Sequence, residues 1–208
     1  MRPGTTIALH SDRWDAWHPA EAAHLLEGVR APWYVAAGWA LDLFVGEQRR
    51  EHEDLEVAVP AARFDEIADA LRGYELFVPG RNESGDEIGW PLTTADEDLD
   101  EHHQTWVREP STGAWRMDVF REPSDGADWV CRRDRRIRLP YREVVAHTRD
   151  GIPFARPEIV LLFKAKHVRD KDEADFADIE PLLEPRARRW LQRSIALVHP
   201  GHAWLERL

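Results

Sequence analysis

Asp54 and Glu56 stand two residues apart in "EDLEVAV", a segment whose other residues suit a buried strand. Side chains two apart on a strand project from the same side, so the two carboxylates share a face opposite Leu55 and Val57. Adjacent like charges repel and each loses hydration, so the pair implies a cationic partner. Arg49, Arg50 or a divalent metal would serve. Mg²⁺ takes carboxylate oxygens together with substrate phosphates, which makes paired acids natural ligands for it. A third carboxylate, Asp118 in "WRMDVFRE", falls on another expected strand, with Met117 and Val119 facing the opposite way. Three acids on two neighbouring strands could hold two metals, one activating a hydroxyl while the other clamps a triphosphate. An Asp-x-Glu taken alone is more often the solvent face of an edge strand.

The elements that must position these acids follow from pattern. "AEAAHLLEGV" (20–29) predicts a short helix ending near Gly28, "APWYVAA" a strand, and "GWALDLFV" a helix closed by Gly46. Gly38, at the small-residue turn between that strand and helix, would let helix N-terminal N–H groups approach a phosphate; close strand–helix packing is the plainer use of an isolated glycine. "DLEVAV" predicts a strand, and Pro60 opens a helix over 61–72 with Phe64, Ile67, Ala70 and Leu71 on one face. "YELFVPG" predicts a strand. The segment 81–103 predicts loop with at most a short strand, and "QTWVREP" and "AWRMDVFRE" a hairpin about "PSTG". From Pro157 the period is helical. The fold class expected is α+β, with a core over 1–155 and a helical region over 156–208.

Composition narrows the chemistry. The chain has 208 residues, 43% hydrophobic, and a net charge of −11. Such acidity argues against a nonspecific grip on nucleic acid, DNA included, and suits a cationic small substrate. One cysteine, Cys131, permits no internal disulfide and fits a reducing compartment. No stretch reaches the roughly 20 apolar residues of a membrane span, so a soluble, cytoplasmic protein is expected.

On these residues the sequence resembles the nucleotidyltransferase superfamily with the DNA polymerase β fold. It is most similar to the small bacterial members that include aminoglycoside 2″-nucleotidyltransferases. Their Gly-Gly-Trp-Ala turn, Arg-x-His and Asp-x-Asp/Glu correspond to Ala37-Gly38-Trp39-Ala40, Arg50-Glu51-His52 and Asp54-Leu55-Glu56. Asp118 stands where the third carboxylate is expected, and "LLFKAKHVRDKDEADF" resembles the C-terminal helical motif. The likeness is strong over residues 30–60, weak over 115–120 and moderate over 157–185. Two departures stand out: Ala37 replaces the first glycine, and Glu56 the commoner aspartate. The resemblance implies Mg²⁺-dependent transfer of a nucleoside monophosphate from ATP or another NTP to a hydroxyl, releasing pyrophosphate. Asp54, Glu56 and Asp118 would be the catalytic metal ligands, and Asp118 would also orient or deprotonate the acceptor. Gly38, Trp39, Arg50, Lys164 and Lys171 would bind the nucleotide.

The acceptor stays open. The acidic loop 84–101, with Glu87, Asp96, Glu97, Asp98 and Asp100, suits a polycation such as an aminoglycoside, although acidic loops are usually only solvated. Modification of tRNA or protein, as in toxin–antitoxin modules, and a non-catalytic nucleotide-binding module are the alternatives. Lys164 and Lys171, two turns apart, would share a helix face and reach a phosphate together. His102 and His103 lack partners at zinc-type spacing and are expected to be solvated. Ten tryptophans are expected mostly in the core, with Trp90, Trp106 and Trp115 the ones that could stack on a base or sugar. Arg132–Arg138, "RRDRRIR", is expected as a solvent-exposed hairpin turn, a nucleotide phosphate or RNA being conceivable partners.

Overall fold

A computed structural model of the chain describes residues 6–9, 13–92 and 102–208. After a short edge strand β1 (Ile7–Ala8), helix α1 (Pro19–Leu25) starts at His18, whose imidazole accepts the Ala20 N–H while Glu21 accepts the His18 N–H. Strand β2 (Tyr34–Val35) runs straight into α2 (Ala37–Val45), closed by Gly46 at φ 90°, a left-handed conformation that glycine adopts without steric cost. Strand β3 (Glu56–Pro60) is followed by a 3₁₀ turn at Ala61–Arg63 and then α3 (Phe64–Ala70), so the expected single helix from 61 starts with a tighter turn.

Strands β4 (Glu75–Arg81) and β5 (Glu87–Pro91) pair antiparallel, placing a five-residue strand in the segment expected to be mainly loop. The expected hairpin forms from β6 (Gln104–Arg108) and β7 (Trp115–Glu122). A separate three-stranded sheet holds β8 (Ser124–Asp125), β9 (Asp128–Val130) and β10 (Arg138–Pro140). Helix α4 (Tyr141–Val144), β11 (Val145–His147) and β12 (Pro153–Ala155) lead back to the main sheet. Helices α5 (Pro157–Lys164), α6 (Asp170–Ile179) and α7 (Pro185–Val198) and a 3₁₀ turn at Ala203–Glu206 complete the chain.

The result is α+β. The main sheet runs β1-β5-β4-β6-β7-β3-β2-β12-β11, antiparallel except where β3 lies parallel to β7 and β12 parallel to β2. Central strand β3 carries Val57, Ala58 and Val59 buried on both faces, which is why its sequence is apolar without alternation. The helical texture after Pro157 is not one continuous run. Arg169 has an extended backbone, and Asp172 accepts its N–H at 3.2 Å, which starts α6 afresh. Lys164 and Lys171 therefore sit on different helices and share no helix face. Among the described residues, no helix is long and apolar enough to cross a membrane.

The C-terminal turn is held by Trp204, fully buried and stacked on Phe176 of α6 with ring centroids 4.0 Å apart. Its indole N–H also donates to Glu173. Trp204→Ala should therefore cost roughly 3–5 kcal/mol of stability, read as a fall in the denaturant midpoint with little change in slope.

Candidate active site

Parallel pairing of β3 and β7 sets Glu56 directly beside Asp118, and in that register their side chains leave the sheet on the same face. Asp54 differs from expectation in lying just before β3, yet it lines the same cavity as Glu56. Leu55 is wholly buried on the other side, its carbonyl accepting the Asp118 N–H at 2.8 Å. The cavity, about 410 Å³, lies between the start of α2, helices α5 and α6, and the turn after β9.

Burial dominates the titration of these acids. It pushes Glu56 up to about 8, helped by the charges of Asp54 and Asp118 and opposed by Lys164 and Arg132. Asp118, 3% exposed, is raised by burial to about 7 although Gln104 donates to its Oδ2 at 2.5 Å. Burial also raises Asp54, against the Lys171 charge. Among the described residues, no three His, Cys, Asp or Glu side chains are gathered as the ligands of one ion. Asp118 Oδ1 is buried without a hydrogen bond, and the donors are all carboxylate oxygens, a set that fits a hard divalent cation.

The residues expected to bind a nucleotide come together here. Gly38, Trp39, Arg50, Lys164 and Lys171 all line the cavity. Helix α2 has no side-chain cap at its N-terminus, so its first N–H groups are left for an anion at the cavity wall. Gly38 has a further reason to be glycine. A Cβ there would lie 2.4 Å from the Arg50 guanidinium and 2.7 Å from the His52 ring. Ala37 holds φ at 48°, the one positive φ outside glycine among the described residues. Trp39 is nearly buried, stacked on His52 at 4.4 Å.

Beneath the cations runs a network whose partners lie far apart in sequence. His52 Nε2 lies 2.6 Å from Asp42 of α2. Arg49 donates to Asp42 and to Asp175 and Asp178 of α6, at 2.9, 3.0 and 3.1 Å. Lys164 bridges Asp172 and Asp175 at 2.7 and 2.9 Å, and Arg50 approaches Asp175 at 3.5 Å. Lys171 is exposed at the rim. The hints in sequence are the Arg-x-His pattern and the stretch "LLFKAKHVRDKDEADF", which contains Lys164, Asp172 and Asp175; Asp42 looks like an ordinary polar helix position.

Three expectations change. The Arg132–Arg138 run does turn a hairpin between β9 and β10, but Arg132 and Arg133 fold inward and line the cavity. His103 is not solvated: it is half-buried, stacked on Phe120, in contact with Arg132, and pushed down to about 4 by burial and the Arg132 charge. Trp90, Trp106 and Trp115 lie outside the cavity lining. Trp115 is buried between Phe77 and Trp106, and Trp90 covers Gly80. Of the acidic loop, Glu87 pairs with Arg81; Asp96, Glu97, Asp98 and Asp100 lie outside the described residues.

The fold is one also found among nucleotidyltransferase antibiotic-resistance enzymes. Residues 20–86 match the model of the aminoglycoside-2″-adenylyltransferase family, and the chain resembles those enzymes. The crystal structure of the lincosamide antibiotic adenylyltransferase LnuA, lincomycin-bound, shares the fold, with a TM-score of 0.52 at 16% identity over 79% of this chain and 95% of that one. ANT(2″)-Ia in complex with adenylyl-2″-tobramycin gives 0.42 at 13% identity over 91% and 93% of the two chains. Its solution structure gives 0.39 at 12% identity over 86% of each. No curated protein matches the sequence.

Two outcomes follow. The folded chain holds protons on Glu56 that the unfolded chain releases above about 4.5, so stability should fall as pH rises from there to about 8. In chelator, Glu56→Gln should flatten that fall in thermal unfolding, and an unchanged slope would contradict the burial of the charge. Ala37→Gly relieves a left-handed alanine and should raise stability by up to about 1 kcal/mol, measured by urea unfolding.

Proposed function

We propose that this chain transfers a nucleoside monophosphate from an NTP, ATP foremost, to a hydroxyl of a small antibiotic-type acceptor, releasing pyrophosphate. One observation carries the reading: a single cavity joins desolvated carboxylates, an uncapped helix N-terminus and a surplus of cations. In a chain of charge −11, its lining holds Arg50, Arg132, Arg133, Lys164, Lys166, Arg169 and Lys171 against Glu53, Asp54, Glu56, Glu122 and Asp172. That balance suits a polyphosphate.

In this mechanism the first N–H groups of α2 and the Arg50 and Lys171 side chains grip the triphosphate. Asp54, Glu56 and Asp118 would hold Mg²⁺, which when bound neutralises phosphoryl oxygens and favours in-line displacement. Asp118 Oδ1, buried without a partner, takes the proton of the acceptor hydroxyl. The acceptor oxygen bonds to the α-phosphorus, the bond to the β-phosphate bridging oxygen breaks, and pyrophosphate leaves. The family description points to an aminoglycoside acceptor, and the net negative charge favours a polycation. Cytoplasmic location belongs to the same proposal.

The test is incubation with Mg²⁺, labelled NTPs and a panel of aminoglycosides and lincosamides, read by the mass gain of the acceptor. Asp54→Asn and Asp118→Asn should each lower turnover by roughly a hundredfold or more, and turnover untouched by both would overturn the site. Label arriving on tRNA or protein would reassign the acceptor.

A further inference from the structure

One carboxylate in the cavity has no part in this chemistry. Glu122 ends β7 on the same face as Asp118 and Phe120, four residues and about 13 Å along the strand from Asp118. It is 5% exposed yet lines the cavity. The Tyr34 hydroxyl and the Trp129 indole N–H both donate to Oε2. Among the described residues, none donates a hydrogen bond to Oε1 and no Lys or Arg forms an ion pair with the carboxylate.

A tie between β2, β7 and β9 would account for Oε2 but not for the charge. A neutral amide would accept the same two hydrogen bonds without the cost of burying a carboxylate that feels the Arg132 charge but forms no ion pair with it. The unshared oxygen calls for a donor from outside the chain. Its surroundings say what shape that donor has. The Arg132 guanidinium, 5.2 Å from the Phe120 ring centroid and 5.0 Å from that of Phe163, and His103, stacked on Phe120, cover part of these rings, whose remaining surface lines the cavity. Ile159 and Val160 of α5 supply an apolar wall. A flat ring, an amino group at its far edge and phosphates at the other end describe a nucleotide lying along β7.

We propose that this deep end of the cavity is a nucleobase slot, in which Glu122 accepts a hydrogen bond from the exocyclic amino group of the base and so selects ATP. The inference rests on the NTP reading above. Glu122 is thus a specificity residue, distant from the reacting phosphorus.

Calorimetry with Mg²⁺ present would compare ATP with purine riboside triphosphate, which lacks only the amino group. The unsubstituted chain should favour ATP by roughly tenfold, the worth of one hydrogen bond to a charged acceptor. Glu122→Gln keeps an oxygen for Tyr34 and Trp129 but places an N–H donor where Oε1 stood, so the preference should shrink to about twofold or less. Phe120→Leu, which leaves the Glu122 contacts intact, should weaken both nucleotides alike. A preference for ATP that survives Glu122→Gln would leave Glu122 as a tie and overturn the slot. So would an unaltered preference accompanied by weaker binding of an amine-bearing acceptor, which would give the slot to the acceptor. Failure of the unsubstituted chain to bind either nucleotide would overturn the NTP reading itself, and the slot with it.

Discussion

The site depends on one enforced proximity: parallel strands β3 and β7 hold Glu56, at the cavity wall, beside the buried Asp118. Burial opposes ionisation of each, and each opposes the other. A fold that keeps such a pair must hold positive charge nearby or admit it with a ligand. Most of what surrounds the cavity follows from that. Cations come from the loop before β3, the turn after β9 and the ends of α5 and α6, elements far apart in sequence.

Those cations are themselves held. Arg49 spends its planar guanidinium on three acids, one on α2 and two on α6, and so fixes the C-terminal helices against the helix that begins at the cavity. Lys164 is anchored by Asp172 and Asp175, while Lys171 stays exposed. The wall therefore combines charge held by ion pairs with an exposed lysine at the rim. Preorganised dipoles and charges act on a developing phosphoryl charge without having to reorient.

The turn into α2 shows how tightly the parts are fitted. Gly38 leaves room for Arg50 and His52, His52 stacks on Trp39, and Asp42 holds its ring nitrogen. Ala37 keeps a left-handed backbone where glycine would sit without strain.

By itself the sequence determined what local pattern can determine. The strand–turn–helix from Tyr34 to Gly46, the apolar β3, the hairpin β6–β7 and the helices after Pro157 are written in periodicity, glycine and proline. The acids Asp54, Glu56 and Asp118 stood out because charge in a core strand is costly wherever the chain goes. Tertiary structure decided which groups meet. Nothing in spacing tells that Arg132 and Arg133 turn inward, that His103 is half-buried against Phe120, or that Asp175 faces Arg49 across 126 residues. Glu122 looked like the polar end of a strand, and only the arrival of Tyr34 and Trp129 from two other strands made it a buried carboxylate with a free oxygen. Periodicity is a property of neighbours in sequence, whereas desolvation and charge pairing depend on neighbours in space, and those are set by the fold.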